Sequence, residues 1–218
     1  MPIKVGLKVI EIWKDSMEKA VCAYEEEQAA PGQIVFYGPS NFTRWSAKYG
    51  MIPLREVLKG KSGASCVVNR GFGSSCPEHQ LYYYPRMVRA LAPKVLVYSP
   101  GFGNGQAFGY SLEESWELAQ RVLAYAMTDF PEIRIYLCGA GYKRDMTEEH
   151  CKNSIKWNSW LKAYAEETPG CEFVDVMSCR ELGCKELFVA DGVHFNQAGY
   201  DLYGEFFAKV LEKELEEF

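Results

Sequence analysis

Three residue types that together support acyl transfer occur in two widely separated segments of the chain. Asp191 lies three positions before His194 in "VADGVHFNQAGY", and His194 is the last of only three histidines. Ser40 lies far upstream, in "FYGPSNFTRW". A serine hydroxyl becomes a nucleophile when an imidazole accepts its proton, and a carboxylate can hold that imidazole in the required tautomer. We therefore predict Ser40 as the nucleophile, His194 as its base and Asp191 as the residue that orients the base.

Acyl transfer also needs hydrogen-bond donors for the oxyanion that forms on the reacting carbonyl. Asn104 in "SPGFGNGQ" offers a neutral amide, and the turn of residues 71–74, "GFGS", offers backbone N–H groups. The N–H of Ser40 is a further donor if a helix begins there. Plain structural roles are the alternatives: a helix cap for Ser40, and turn residues for Asn104 and Asp191.

The elements that must position these side chains follow from the hydrophobic pattern. Apolar runs of strand length alternate with helical patterns, which is typical of a parallel sheet covered by helices. Strands are predicted within residues 32–38, 65–73, 94–105 (strand, then loop), 133–139 and 171–176. Helices are predicted within residues 7–28, 78–93, 112–130, 147–167 and 197–216, with Ser111 and Thr147 as N-caps. The fold class predicted is α/β with a five-stranded parallel sheet, in a single domain of residues 1–218 whose residues 1–30 add an N-terminal helix.

In such a sheet, ligands bind outside the carboxyl ends of the strands. The loops after the first three strands read "GPSNFTRW", "NRGFGSSC" and "SPGFGNGQ", and the loop before the last helix reads "ADGVHFN". All four are expected at one edge of the sheet, which would bring Ser40, Asn104 and His194 together.

Composition excludes several classes of protein. Hydrophobic residues make up 48% and charged residues 24% of the chain, which is typical of globular proteins. The net charge of −5 and the lack of a lysine or arginine run argue against nucleic acid as a partner. The N-terminus lacks the apolar core of a secretory signal, and no window reaches the roughly 18 apolar residues of a membrane span. We expect a cytoplasmic protein without a membrane partner.

Neither a metal nor an organic cofactor is expected. The eight cysteines are interpreted as reduced thiols, many of them buried in apolar runs. Cys179 and Cys184 lack the CxxC spacing of a zinc site. The glycines of "GFGNG" form GxGxG rather than the dinucleotide-binding GxGxxG. His79 and His150 lie in helical, polar surroundings and are assigned no role.

Four segments together resemble the SGNH, or GDSL-type, hydrolases, which are serine esterases and lipases built on a flavodoxin-like sheet. "IVFYGPSNFTRW", "VVNRGFGSS", "KVLVYSPGFGNGQAFG" and "LFVADGVHFNQAGY" are similar to the family's four sequence blocks, in the same order. The resemblance covers nearly everything from residue 33 onward. It implies a three-layer α/β/α sandwich and a catalytic Ser40, His194 and Asp191. It also implies an oxyanion hole formed by the N–H of Ser40, the N–H of Gly73 or Ser74, and the Asn104 amide.

Three positions depart from the family pattern. Pro39 precedes the proposed nucleophile, where an aspartate or serine is usual. Ser74 aligns with the usual oxyanion glycine, and its N–H serves only if a non-glycine residue can hold the local φ and ψ. Gly105 replaces an aspartate.

The third block can be aligned in two ways. Without a gap, Gly103 takes the place of the family's asparagine, whereas an inserted Pro100 restores Asn104. The second alignment is preferred because it keeps Gly109 and Ser111 in register.

The family resemblance suggests hydrolysis of a small acyl ester, with an O-acetyl group on a carbohydrate as the first guess. Trp45 and Phe102 are predicted to line an acyl or sugar pocket, with core packing as the alternative. The three departures leave a second class open: a relative without catalysis that binds a glycan or acyl ligand. A homo-oligomer also stays open, because the helix predicted over residues 7–28 could cover the sheet or a partner subunit.

Overall fold

Five parallel strands form one sheet in the order β2-β1-β3-β4-β5. The computed structural model describes residues 8–27 and 29–218. The strands are β1 (Ile34–Gly38), β2 (Val67–Gly71), β3 (Val95–Tyr98), β4 (Arg134–Cys138) and β5 (Cys171–Val174). Each strand lies inside its predicted segment, so the α/β fold with a five-stranded parallel sheet is confirmed.

Helices cover both faces of this sheet. The described residues contain α1 (Lys14–Glu26), α2 (Ser40–Thr43), α3 (Leu54–Val57), α4 (Pro77–Met87), α5 (Phe102–Ala107), α6 (Leu112–Asp129), α7 (Glu148–Glu167), α8 (Gln197–Val210) and α9 (Glu212–Glu216). Helices α1, α4, α6 and α7 pack on one face, and α2, α3, α8 and α9 pack on the other. The predicted three-layer α/β/α sandwich is therefore confirmed.

The central strand β1 shows how the sequence produces two cores. Successive side chains of a strand point to opposite faces of the sheet. Ile34 and Phe36 accordingly belong to the core beneath α8, whereas Val35 and Tyr37 belong to the core beneath α4 and α6. All four are fully buried, as expected of a strand covered on both faces.

The N-terminal helix is shorter than the predicted span of residues 7–28. Helix α1 begins at Lys14 and ends at Glu26, and residues 8–13 form turns and a bend; residues 7 and 28 lie outside the described part of the chain. The buried carboxylate of Glu78 accepts hydrogen bonds from the backbone N–H groups of Lys8 and Val9, each at 2.9 Å. This tertiary anchor replaces the helical hydrogen bonds that the amphipathic pattern suggested.

Two other predicted segments differ from the structure. The segment after β3 was expected to be a loop, but it contains α5, which the glycines of "GFGNG" concealed because glycine disfavours helix interiors. The last helix, predicted over residues 197–216, is interrupted at Leu211. Beyond the interruption, α9 brings Glu214 into the protein, where its carboxylate accepts a hydrogen bond from the Tyr136 hydroxyl at 2.9 Å.

The two predicted helix caps are present. The Ser111 hydroxyl accepts the N–H of Glu114 at 3.1 Å, and the Glu114 carboxylate accepts the N–H of Ser111 at 3.0 Å. The Thr147 hydroxyl accepts the N–H of His150 at 3.1 Å. These caps hold the starts of α6 and α7, so the two loops that precede these helices are positioned at the carboxyl edge of the sheet.

Candidate active site

Ser40 and His194 meet at the carboxyl edge of the sheet. The Ser40 hydroxyl lies 2.7 Å from His194 Nε2, and His194 Nδ1 lies 2.8 Å from Asp191 Oδ2. Because a carboxylate accepts, Nδ1 carries the proton and donates it to Asp191. Nε2 is therefore free to accept the hydrogen bond of the serine hydroxyl. The fold joins the three side chains in the order that the sequence analysis predicted.

Ser40 is the first residue of α2, directly after the end of β1. Pro39 occupies the N-cap position with an extended backbone, at φ −80° and ψ −154°. The first N–H groups of a helix have no intrahelical acceptor and point toward its N-terminal side. The backbone N–H of Ser40 makes no hydrogen bond within the described part of the chain.

A tight turn before α8 presents His194 to Ser40. The Asp191 Oδ1 atom accepts the backbone N–H groups of Val193 and His194 at 2.9 and 3.0 Å. The Val189 N–H donates to the His194 carbonyl at 2.9 Å, which closes the turn. Asp191 is thus a turn-former and the partner of the imidazole at once, since its two oxygens have different partners.

Arg44 is a member of this cluster that the sequence analysis missed. Its Nη1 atom lies 3.2 Å from Asp191 Oδ2, the same oxygen that accepts from His194. The guanidinium also lies over the Tyr49 ring, 5.3 Å from the ring centroid. A sequence signal was available, because a cation four positions after Ser40 lies near it on a helical turn.

The charges of the cluster favour a neutral imidazole beside an ionised carboxylate. Burial lowers the pKa of His194; the hydrogen bond to Asp191 opposes this, and the positive charge of Arg44 adds to it. Partial burial raises the pKa of Asp191, but the N–H groups of Val193 and His194 and the imidazole outweigh burial and bring it to about 2. At neutral pH, His194 can therefore accept a proton while Asp191 stays charged.

The candidate oxyanion donors lie around the same edge. The Asn104 amide donates one hydrogen bond to the Ser75 carbonyl at 2.8 Å, and its side chain lines the cleft at Ser40. Ser74 adopts the left-handed conformation at φ +60°. A non-glycine residue thus holds the conformation that glycine usually provides. The N–H groups of Gly73 and Ser74 have no acceptor within residues 8–27 and 29–218.

The cleft beside Ser40 has a volume of about 280 Å³. Phe102, predicted as a pocket residue, forms part of its wall and stacks on His150, with ring centroids 5.5 Å apart. Lys143 and His150 also line the cleft, and the sequence analysis assigned neither a role. Lys143 lies between β4 and α7, and His150 lies in the first turn of α7; the motif comparison included neither segment.

Trp45, the other predicted pocket residue, does not line this cleft. Its indole is fully buried and packs against Tyr200 and Tyr203, with ring centroids 5.5 and 5.4 Å away. The turn that begins at Ser40 directs the side chain of residue 45 inward, toward α8. The structure thus places Trp45 in the core, the alternative to a pocket role, and not in the cleft of Ser40.

His79 is also buried, contrary to the expected polar surroundings. Its Nδ1 atom accepts the Cys76 N–H at 3.3 Å, and its Nε2 atom lies 3.2 Å from the Val9 carbonyl, to which it donates. Its role is to fasten the N-terminal segment to α4.

All eight cysteines are unpaired, and four of them are buried. In the described part of the chain, no three histidine, cysteine, aspartate or glutamate side chains form a group suited to a metal ion. Within the same residues, no helix combines the length and apolar character that crossing a bilayer requires.

A hydrogen-bonded serine, histidine and aspartate at the carboxyl edge of a doubly covered parallel sheet is an arrangement typical of serine hydrolases. The sequence profile of the GDSL-like Lipase/Acylhydrolase family matches residues 38–202, and the chain belongs to that family. Comparison with curated proteins found no matching sequence.

Solved structures share the fold at low sequence identity. A protein from Streptococcus pneumonia is 21% identical with a TM-score of 0.73, over 95% of this chain and 96% of that one. A GDSL-like lipase from Bacteroides thetaiotaomicron is 16% identical with a TM-score of 0.70, over 93% and 98%. A catalytic mutant of an acetylxylan esterase from Geobacillus stearothermophilus is 15% identical with a TM-score of 0.61, over 84% and 95%.

Proposed function

We propose that this protein is a serine ester hydrolase that cleaves a small acyl ester through an acyl-enzyme on Ser40. The observation that carries the proposal is the continuous hydrogen-bond chain from Ser40 through His194 to Asp191, with distances of 2.7 and 2.8 Å. Membership in an acylhydrolase family supports the same reaction class.

The chemistry follows from the protonation states of the cluster. Ser40 Oγ attacks the ester carbonyl carbon while His194 Nε2 takes its proton, and the carbonyl electron pair moves onto oxygen. The tetrahedral intermediate collapses, and the leaving alkoxide takes the proton from His194. A water molecule then attacks the acyl-enzyme by the same proton relay and releases the acid. Asp191 stabilises the imidazolium that forms in both halves of the reaction.

Three donors are assigned to the oxyanion: the N–H of Ser40, the N–H of Ser74 or Gly73, and the Asn104 amide. An amide nitrogen carries two hydrogens. The bond to the Ser75 carbonyl uses one hydrogen of Asn104 and orients the group, which leaves the second hydrogen for the substrate. Donors that are fixed before the reaction stabilise developing charge without having to reorganise.

Two of the three departures from the family pattern, Ser74 and Gly105, do not favour the alternative of a non-catalytic binding protein. Ser74 holds a left-handed backbone at φ +60°, so its N–H is oriented without glycine. A Cβ on Gly105 would lie 2.5 Å from the Ser115 hydroxyl oxygen, so the usual aspartate has no room here. Ser115 occupies the space in its place.

The substrate is proposed to be small, because the cleft beside Ser40 has a volume of only about 280 Å³. Phe102 would form an apolar wall beside the acyl or sugar group. An O-acetyl group on a carbohydrate is the first substrate to test, since one structural neighbour is an acetylxylan esterase.

The decisive variant is Ser40→Ala, which we expect to lower kcat for 4-nitrophenyl acetate by on the order of 10⁴-fold or more. Ser46→Ala is the matched control, because Ser46 follows the same helical turn and its hydroxyl donates only to the Thr43 carbonyl. Both variants should keep the thermal unfolding midpoint within a few degrees. Undiminished hydrolysis by Ser40→Ala would reject the nucleophile.

A serine-reactive organophosphonate separates the enzyme from the binding protein. We expect intact-mass spectrometry to show a single adduct on the unaltered protein and none on Ser40→Ala. Absence of an adduct together with absence of hydrolysis would favour the binding protein.

A further inference from the structure

Lys143 extends from the segment after β4 into the cleft of Ser40. Its ammonium nitrogen lies 3.8 Å from the point that a Cβ on Gly103 would occupy, next to the Asn104 position. The side chain is half-buried. A cation therefore lies in the same small cavity as the proposed nucleophile and one proposed oxyanion donor.

No carboxylate in the part of the chain that the structure describes pairs with this cation. The neighbouring Arg144 and the nearby Lys185 both pair with Asp145, at 2.9 and 3.1 Å, whereas Lys143 forms no ion pair with any described residue. Within residues 8–27 and 29–218, every other lysine or arginine without an ion pair is exposed. Burial also lowers the pKa of Lys143, because removing an ammonium from water disfavours its charged form.

The remaining cleft residues do not neutralise Lys143. No aspartate or glutamate lines the cleft in the described part of the chain. The nearest acid of the cluster, Asp191, is engaged by His194 and Arg44. Burial, and then the charge of Lys143, lower the pKa of His150, so this imidazole is neutral at neutral pH. The described lining of the cleft therefore carries a positive charge without a counter-charge.

We propose that Lys143 makes this site select esters that carry a carboxylate-sized anionic group on either the acyl or the alcohol side. The inference rests on the proposed function and specifies its substrate class. A half-buried cation without a partner is unfavourable, and an anionic ligand removes that cost by forming a charge-assisted hydrogen bond. Because Lys143 makes no hydrogen bond within the described residues, it is available to donate to such a ligand.

The test compares charged esters with neutral partners of nearly the same shape. For the alcohol side, the pair is 4-acetoxybenzoate and its methyl ester, followed by acetate release. For the acyl side, the pair is the mono-4-nitrophenyl ester of succinate and its methyl ester, followed by nitrophenol release. We expect the unaltered protein to prefer the charged member of one pair by about tenfold in kcat/KM.

Lys143→Met removes the charge but keeps most of the apolar stem, and we expect it to lower that preference about tenfold. Lys152→Met is the matched control, because Lys152 is exposed on α7 and pairs with Glu148 outside the cleft; it should keep the preference. The intrinsic reactivity of each ester is the same for every variant. A change in the ratio of kcat/KM for the charged ester to kcat/KM for the neutral ester therefore measures the effect of Lys143. Equal kcat/KM values for the charged and the neutral ester in both pairs would overturn the inference. An unchanged ratio of these two kcat/KM values in Lys143→Met would also overturn it.

Failure of the proposed function gives a different result. Ser40-dependent hydrolysis without charge preference contradicts only the role of Lys143, whereas hydrolysis of none of the esters contradicts the enzyme. In the latter case, titration calorimetry with the non-hydrolysable amide 4-acetamidobenzoate and its neutral methyl ester still tests the cation. Tighter binding of the anion that Lys143→Met abolishes supports the inference, and equal binding of the two compounds refutes it.

Discussion

At the residue scale, Arg44 gives Asp191 a cationic partner in addition to the neutral imidazole of His194. Asp191 Oδ2 accepts from His194 Nδ1 at 2.8 Å and faces Arg44 Nη1 at 3.2 Å. The guanidinium disfavours a second positive charge on the imidazole, which is one reason that the pKa of His194 is lowered. The base therefore stays neutral, and able to accept the serine proton, to a lower pH than an isolated histidine.

We predict that Arg44→Gln shifts the acid side of the pH profile upward. Loss of the guanidinium charge raises the pKa of His194. When the pH is lowered, the imidazole is therefore protonated, and activity is lost, at a higher pH than in the unaltered protein. The measurement is kcat/KM for a neutral acetate ester between about pH 4 and 8, around the ordinary histidine pKa. Arg55→Gln, on the exposed side of α3, should leave the profile unchanged; an unshifted profile in Arg44→Gln would contradict the argument.

Asn104 makes the second residue-scale prediction. Asn104→Ala removes a proposed oxyanion donor and should cost about 3 kcal/mol of transition-state stabilisation, or about 10²-fold in kcat, with a smaller change in KM. Asn104→Asp keeps the size but replaces a donor with a negative charge, so we expect at least the same loss. If either variant kept the kcat of the unaltered protein, the assignment of Asn104 to the oxyanion hole would be wrong.

At the element scale, the start of α5 determines the position of the Ser40 loop. Gly101 has φ +67°, and a Cβ there would lie 2.8 Å from the Pro39 ring. Gly109 lies in the turn after α5 at φ +86°, and a Cβ added to Gly109 would have no atom within 4 Å. The two glycines share the left-handed conformation, but only Gly101 contacts the residue before the nucleophile.

We predict different outcomes for alanine at these two glycines. Both Gly101→Ala and Gly109→Ala should lower the free energy of unfolding by about 1–2 kcal/mol, because alanine is strained in the left-handed region. Only Gly101→Ala should also reduce kcat, since its methyl group displaces Pro39 and with it Ser40. Chemical denaturation and ester hydrolysis measure the two effects, and equal kcat values for the two variants would refute the coupling.

At the scale of the whole molecule, buried carboxylates tie peripheral segments to the central sandwich. Glu78 is fully buried in α4 and accepts the N–H groups of Lys8 and Val9. Glu214 is 3% exposed and holds α9 against Tyr136 and Arg134 of β4. The ends of the described chain are thus fastened by hydrogen bonds to acids rather than by apolar packing alone.

We predict that Glu78→Ala lowers the free energy of unfolding by roughly 3 kcal/mol, because it leaves buried N–H donors without an acceptor. Glu205→Ala, at an exposed position of α8 without an ion pair, should change it by less than about 0.5 kcal/mol. Urea denaturation provides the measurement. Equal stability of the two variants would show that the N-terminal segment contributes little to folding.

Much of the fold could be predicted from the sequence because short-range patterns encode it. A strand buried on both faces, such as β1, is an apolar run whatever packs against it, and the caps Ser111 and Thr147 act within one helical turn. Where the local pattern and a tertiary contact disagreed, the contact prevailed. Hydrogen bonds to Glu78 hold residues 8–13 in turns and a bend where a helix was expected. In α5, which was not predicted, the buried Ser115 hydroxyl occupies the space that a side chain at Gly105 would need.

By itself, the sequence determined the sheet, the family, and the candidates Ser40, Asp191 and His194, because residue type, periodicity and block order are properties of the chain alone. Only the tertiary structure decided which other side chains share the site. It placed Lys143, His150 and Arg44 around the cluster and Trp45 in the core, since the direction of a side chain depends on elements distant in sequence. The charge of the cleft follows from that assembly, because it is set by which ions lack a partner in space.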